Sequence, residues 1–160
     1  MSAYPFISVD ALSELLVKEL SDVRRFCALL QEERSVLTGA QGDRLHDIAA
    51  EKASLAGQLS QFETRRDALL TKGGFPKGRP GIEAWLTSRP DVDRDRWNEL
   101  LQLAIQAHDG NETNGRLINL LLKQNQEALS ILLSGGAESI YGTDGQPRSP
   151  AAGKRSFGSV

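Results

Sequence analysis

Few residues in this chain could do chemistry, and each candidate fails on spacing. Asp91-Val-Asp-Arg-Asp95 sets carboxylates at alternate positions, as the opening of a calcium loop does. Such a loop needs glycine at its sixth position and a bidentate glutamate at its twelfth. Those positions hold Arg96 and Gln102, so the run reads as carboxylates at a helix N-terminus, where the helix dipole favours them. Gly73-Gly-Phe-Pro-Lys-Gly-Arg-Pro80 has two glycines at phosphate-loop spacing. It then offers Arg79 and Pro80 where lysine and a hydroxyl are required, with no strand before it, and reads as a connector. His46 and His108 are far apart and lack clustered ligands, which argues against a zinc site. Cys27 is the only cysteine, so a disulfide framework is excluded; on an apolar helix face it reads as a small core residue. No nucleophile has a base at workable spacing. The chain is expected to have no catalytic residue, no metal and no cofactor.

Bulk properties narrow the remaining classes. The 160 residues are 39% hydrophobic and 25% charged, enough apolar content for one folded domain. A net charge of −2 supplies no basic surface for nucleic acid or a membrane face. Met1-Ser-Ala-Tyr-Pro-Phe has no basic patch followed by an apolar run, and no apolar stretch nears the ~20 residues a bilayer span requires. A cytoplasmic chain without membrane insertion is expected, and its lone thiol fits a reducing compartment.

Helical periodicity fills three long segments separated by glycine and proline. The first runs from a cap at Ser8 or Asp10 to about Leu37, ahead of Gly39 and Gly42. The second starts near Asp43 and stops at Gly73-Gly74. A Gly/Pro-rich connector over residues 75–90 holds one short helix, Ile82 to Thr87, with Trp85 and Leu86 inward. Asp91 caps the third, which reaches Leu133 before Gly135-Gly136. Val9, Leu16, Val23, Leu30 and Leu37 recur every seven residues, as do Ile48, Leu55, Phe62 and Leu69, the repeat of helices in a left-handed supercoil. A short turn makes the two antiparallel, and facing residue numbers then add to a constant 85. That register opposes Leu30 to Leu55, Val23 to Phe62 and Phe26 to Leu59. It also sets Glu19 against Arg66 and Glu33 against Lys52. The charge pairs are the independent support, since the apolar rows follow from the repeat alone. As exposed pairs they would contribute only ~0.2–1 kcal/mol each.

The third helix has a seam of Trp97, Ala104, Asn111, Ile118, Asn125 and Leu132, with Asn114 close by. Asn111, Asn114 and Asn125 are expected to set register, because a seam asparagine must find a hydrogen-bond partner. Further along, Leu117, Ile118, Leu121, Leu122, Leu129, Leu132 and Leu133, with their apolar neighbours, spread over roughly 220° of the helix. One packing face needs a stripe of little more than ~100°. The surplus either lies in a groove between the first two helices or is left for a partner. The fold expected is all-α, an elongated antiparallel bundle of three long helices with a short connector helix (residues 1–134), followed by a flexible tail (residues 135–160).

Several stretches resemble the FlgN family of flagellar export chaperones. Ala50-Glu-Lys-Ala-Ser-Leu55 with Leu59, Phe62, Glu63 and Arg66 is similar to that family's E-K-x-x-L…L-x-x-x-E-x-x-R run. Asn111-Glu-Thr-Asn-Gly-Arg-Leu-Ile118 and Asn125-Gln-Glu-Ala-Leu129 resemble its N-x-x-N-G-x-L-I and N-x-x-A-L segment. Tyr141-Gly-Thr-Asp-Gly-Gln146 is close to its tail signature, with a Gly-Lys-Arg end at Gly153 to Arg155. The connector around Ile82-Glu-Ala-Trp-Leu86 is longer than in some members. The resemblance implies a chaperone for the hook-associated proteins FlgK and FlgL that keeps them unassembled and hands them to the export gate protein FlhA. The wide apolar arc, where the resemblance is densest, places the expected cargo site on Leu117, Ile118, Leu121, Leu122, Leu129, Leu132 and Leu133, and the resemblance implies gate docking through Tyr141. The other course for Tyr141 is to fold back on Trp85 or the third helix. Competing functions are a structural coiled-coil oligomer or adaptor and a regulatory binding protein of the flagellar pathway. The chaperone reading itself expects a monomer or a labile homodimer.

Overall fold

The computed structural model describes the backbone of residues 9–39 and 42–140 and the side chains of residues 11–39 and 42–134. Four α-helices follow one another: α1 (Val9–Gly39), α2 (Leu45–Lys72), α3 (Gly78–Leu86) and α4 (Asp91–Ile140). A 3-10 turn over Gly42–Arg44 joins α1 to α2, where the register places the hairpin bend. No strand occurs among the described residues, and the all-α expectation of three long helices and a connector helix holds. The chain divides into two compact units, one ending at Ile118 and one beginning at Asn119.

In the first unit α1 and α2 are antiparallel, and both opposite-charge pairs form. Arg66 Nη1 donates to the two Glu19 oxygens at 2.5 and 2.6 Å, and Lys52 Nζ donates to the two Glu33 oxygens at 3.2 and 2.9 Å. The sequence reading expects these pairs to be exposed, and they are instead largely buried. Glu19 is 7% and Glu33 4% exposed, because a third helix covers the edge of the hairpin on which they lie. Removing one partner of such a pair strands a buried charge, so both act as register locks. Val23 and Phe62 share one core cluster with Leu16, Leu70, Trp85 and Trp97. Leu55 packs in a second cluster with Leu29, Val36 and Ile48. Leu30, expected against Leu55, turns toward α4: a Cβ on Gly110 would come within 3.3 Å of its Cδ1. Glycine at 110 therefore lets α4 approach α1 closely.

Contacts between α1 and α4 rise together in residue number, so these helices are parallel. Ser13 Oγ donates to Asp93 Oδ1 at 2.6 Å, Arg24 Nε to Glu99 Oε1 at 2.9 Å, and the Cys27 thiol to the Leu103 carbonyl at 3.5 Å. Burial pushes the Cys27 thiol up, which keeps it protonated and consistent with a packing role. Asp93, almost fully buried at the start of α4, takes Ser13 on one side and Arg89 and Arg96 on the other. Arg89 also lies 5.0 Å over the Trp85 ring. The most covered row of α4 is Asp93, Leu100, Ala107, Asn114 and Leu121, whereas Ala104 and Asn111 of the expected seam are exposed.

Two element bounds differ from the sequence expectation. The connector helix begins at Gly78, not Ile82, because Pro80 falls in a first turn that needs no N–H from it. Gly81 is buried there, and a Cβ would sit 1.7 Å from the Pro76 carbonyl oxygen. The third long helix continues through Gly135-Gly136 to Ile140. Glycine costs about 1 kcal/mol in a helix interior but, unlike proline, leaves the hydrogen-bond ladder whole.

Asn114 closes the meeting point of α1, α2 and α4. It is fully buried, and its Nδ2 donates to the Leu30 carbonyl and to Glu33 Oε2, each at 2.8 Å. Its Oδ1 accepts from Arg34 Nε at 3.1 Å. Asn114→Ala removes three hydrogen bonds, two of them to charged groups, and should destabilise the protein by about 2 kcal/mol in a urea titration; a loss below about 0.5 kcal/mol would show that the junction is dispensable. Phe62→Ala should cost ~3–5 kcal/mol in the same measurement. A cost under a third of that would place Phe62 outside the core.

Candidate partner-binding face

The later part of α4 is built from Leu, Ala, Lys, Gln and Glu, residues that lose little entropy in a helix, so the segment is helical by local preference. Leu117, Ile118 and Leu121 are half-buried. Beyond them exposure rises: Leu122 and Leu129 stand more than half exposed, Leu132 70% and Leu133 74%. Leu120 and Ile131 are exposed as well and extend the apolar surface past the residues singled out from the sequence. Both belong to the apolar arc read from the sequence, though not to the expected cargo site. The other large exposed hydrophobics, Val17, Val92 and Ile105, are scattered singly and call for no explanation.

The electrostatics of this stretch are simple. Lys123 Nζ and Glu127 Oε1 stand 4.0 Å apart as an i,i+4 pair, both well exposed. At ~100° per residue they fall on the opposite side of the helix from Leu121, Leu129 and Leu132. The apolar stripe therefore carries no charge, and covering it would desolvate none. Such a face recognises apolar groups at i, i+3, i+4 and i+7, the spacing of an amphipathic helix laid alongside.

The three asparagines have different surroundings. Asn114 lies at the buried junction described above. Asn111 is exposed, and its Oδ1 accepts from Lys52 Nζ at 2.8 Å. Asn125 is exposed in the middle of the apolar stripe. Tyr141, the Gly153–Arg155 motif and the rest of residues 141–160 lie outside the described residues.

Among the described residues no group of three or more His, Cys, Asp or Glu side chains could hold a metal ion. A shallow depression lined by Arg79, Leu101, Ala104, Ile105 and His108 has no convergent buried polar groups. No helix among these residues is long and apolar enough to cross a membrane.

Comparison with known proteins bears on what this arrangement serves. The flagella synthesis protein FlgN of Yersinia enterocolitica serotype O:8 is 26% identical over 152 residues, covering 94% of this chain and 98% of the relative. The flagella synthesis protein FlgN of Salmonella typhimurium is 27% identical over 137 residues, covering 84% of this chain and 89% of the relative. No solved structure matches. The family is one of flagellar chaperones and not of enzymes, and the role of this protein is in flagellar assembly. The family model described as FlgN protein matches residues 1–149, which takes in all four helices and most of the tail, and on that match the chain belongs to the FlgN family.

Proposed function

We propose that this protein is a cytoplasmic export chaperone for the hook-filament junction proteins FlgK and FlgL. It holds them unassembled and delivers them to the flagellar export gate protein FlhA. The observation that carries the reading is the uncharged row of exposed leucines on α4, with Leu129, Leu132 and Leu133 each more than half exposed. An apolar surface of this kind is kept in a folded protein for a partner to cover. A cargo helix seated on Leu117, Ile118, Leu121, Leu122, Leu129, Leu132 and Leu133 would have its own assembly surface occupied. Membership in the FlgN family supports the identity of the cargo.

Gate delivery needs a second contact that leaves the leucines engaged. Residues 135–160 have few groups to bury, and Tyr141 is their single tyrosine. A tyrosine gives a large ring and a hydroxyl at low entropic cost, which suits an anchor. Gly142 and Gly145 around Thr143-Asp144 favour a tight turn that would present it. We assign Tyr141 to the FlhA contact.

The two assignments are separable by titration calorimetry with purified FlgK or FlgL and with the cytoplasmic domain of FlhA. Replacing both Leu129 and Leu132 with Glu should weaken cargo binding by about 100-fold or more. The melting temperature should hardly change, because both side chains are exposed in the free protein. Unchanged affinity with a lowered melting temperature would make these leucines core residues and move the cargo site elsewhere. Tyr141→Ala should leave stability and cargo affinity intact while weakening binding of the loaded chaperone to FlhA by about tenfold or more. Destabilisation of the free protein would show instead that Tyr141 clasps its own bundle.

A further inference from the structure

Between Leu121 and Leu133 a single residue interrupts the apolar face of α4. At ~100° per residue Leu121, Leu122, Ala128, Leu129, Leu132 and Leu133 all fall within about 80° of the direction of Asn125. The other polar residues of the stretch, Lys123, Gln124, Gln126, Glu127 and Ser130, fall about 100° or more away. Asn125 therefore stands on the midline of the stripe, where any cover would cut it off from water. In the free chain it is exposed, as are Leu122, Leu129, Leu132 and Leu133 around it.

The spacing names the shape of the cover. Leu121, Asn125, Ala128 and Leu132 follow one another at intervals of four, three and four, the seam of a helix that packs beside a second helix in a left-handed supercoil. An occupant with the same spacing on its own face meets this seam along its length.

The chemistry of Asn125 narrows the occupant further. A carboxamide carries two donor hydrogens and an acceptor oxygen. Set against a leucine it would lose its water and gain no hydrogen bond, which is penalised. A neutral side chain that donates and accepts (Asn, Gln, Ser or Thr) answers it. A charged one does not, because on the midline an ion would be desolvated against a neutral partner alone.

A stripe of leucine alone would accept any amphipathic helix, and would accept it in registers one heptad apart. One seam asparagine removes both freedoms, since only one register brings a polar mate to it and helices without a mate are rejected. An asparagine present only for solubility would act differently. It would weaken every apolar partner alike, and its replacement by leucine would tighten cargo binding. The two roles differ in sign.

We propose that Asn125 is the specificity-determining residue of the partner-binding face. It selects a cargo helix whose apolar seam is broken once by Asn, Gln, Ser or Thr, and holds that helix in a single register. The inference rests on the reading of α4 as the cargo face, and adds the feature by which cargo is told from other amphipathic helices.

Titration calorimetry on the full chain tests this with two synthetic helices of about five turns that share one leucine seam. One carries Asn at the centre of the seam and the other Leu. The unaltered chain should bind the Asn-centred helix at least about tenfold more tightly, and Asn125→Leu should reverse the order. With purified FlgK or FlgL, Asn125→Leu should weaken binding at least about tenfold, with helicity unchanged by circular dichroism. Equal or tighter cargo binding by Asn125→Leu, or a preference of the unaltered chain for the Leu-centred helix, overturns the role of Asn125. The double replacement of Leu129 and Leu132 with Glu separates the two readings. If it weakens cargo binding while Asn125→Leu does not, the cargo face stands and only the selection falls. If it leaves cargo binding unchanged while the unaltered chain still prefers the Asn-centred helix, the selection stands and the cargo reading falls.

Discussion

A carboxylate buried where three helices meet must be satisfied from several directions, and the way Glu33 is satisfied organises the first unit. Lys52 reaches it from α2 and neutralises the charge, while Asn114 reaches it from α4 and supplies a further donor. Neither suffices alone, since burying an ion pair is unfavourable unless the remaining lone pairs are also engaged. Asn114 ties the same point to the α1 backbone through Leu30 and to Arg34. One carboxylate thus fixes the hairpin register and the level at which α4 lies on α1. A slip of either helix by a turn would leave a charge or a carboxamide buried without partners.

That constraint makes α1 the helix with two neighbours. Its covered positions include both Leu29 and Leu30, and both Val36 and Leu37, a stripe wider than a single seam. The side with Leu29 and Val36 packs with α2, and Leu30 turns toward Gly110 of α4. Trp85, Leu86 and Trp97 close the end of the bundle near the start of α4, where Asp93 is pinned by Ser13, Arg89 and Arg96. The polar anchors on α4, Asp93 and Asn114, therefore stand at both ends of its packed stretch.

The hairpin was legible because two signals of different kind agreed. Heptad leucines proposed a register, and opposite charges at matching positions selected it. The burial of those charges was not legible, since it depends on α4 lying over the hairpin edge, a contact far away in sequence. For the same reason the seam of α4 was misplaced. Apolar spacing favoured the row through Trp97, Ala104 and Asn111, yet the row that packs contains Asp93 and Asn114, polar residues whose partners lie on α1. The excess of leucine late in α4 was visible as a pattern, but which of those leucines are exposed was not, since burial is set by contacts far away in sequence.

The separation of polar locks from exposed leucines has a functional consequence. Specificity of the fold resides in Glu33, Lys52, Asn114 and Asp93, all within the first unit. The residues from Leu122 to Leu133 are exposed and contribute little to that core, so the core places little constraint on them. An apolar surface maintained this way is a hazard for solubility unless something occupies it. Charges on the stripe would remove the hazard and the binding together. Confining Lys123 and Glu127 to the back of the helix and placing one neutral asparagine in the stripe does neither: the face stays apolar, and any occupant would have to answer a single polar group at its centre.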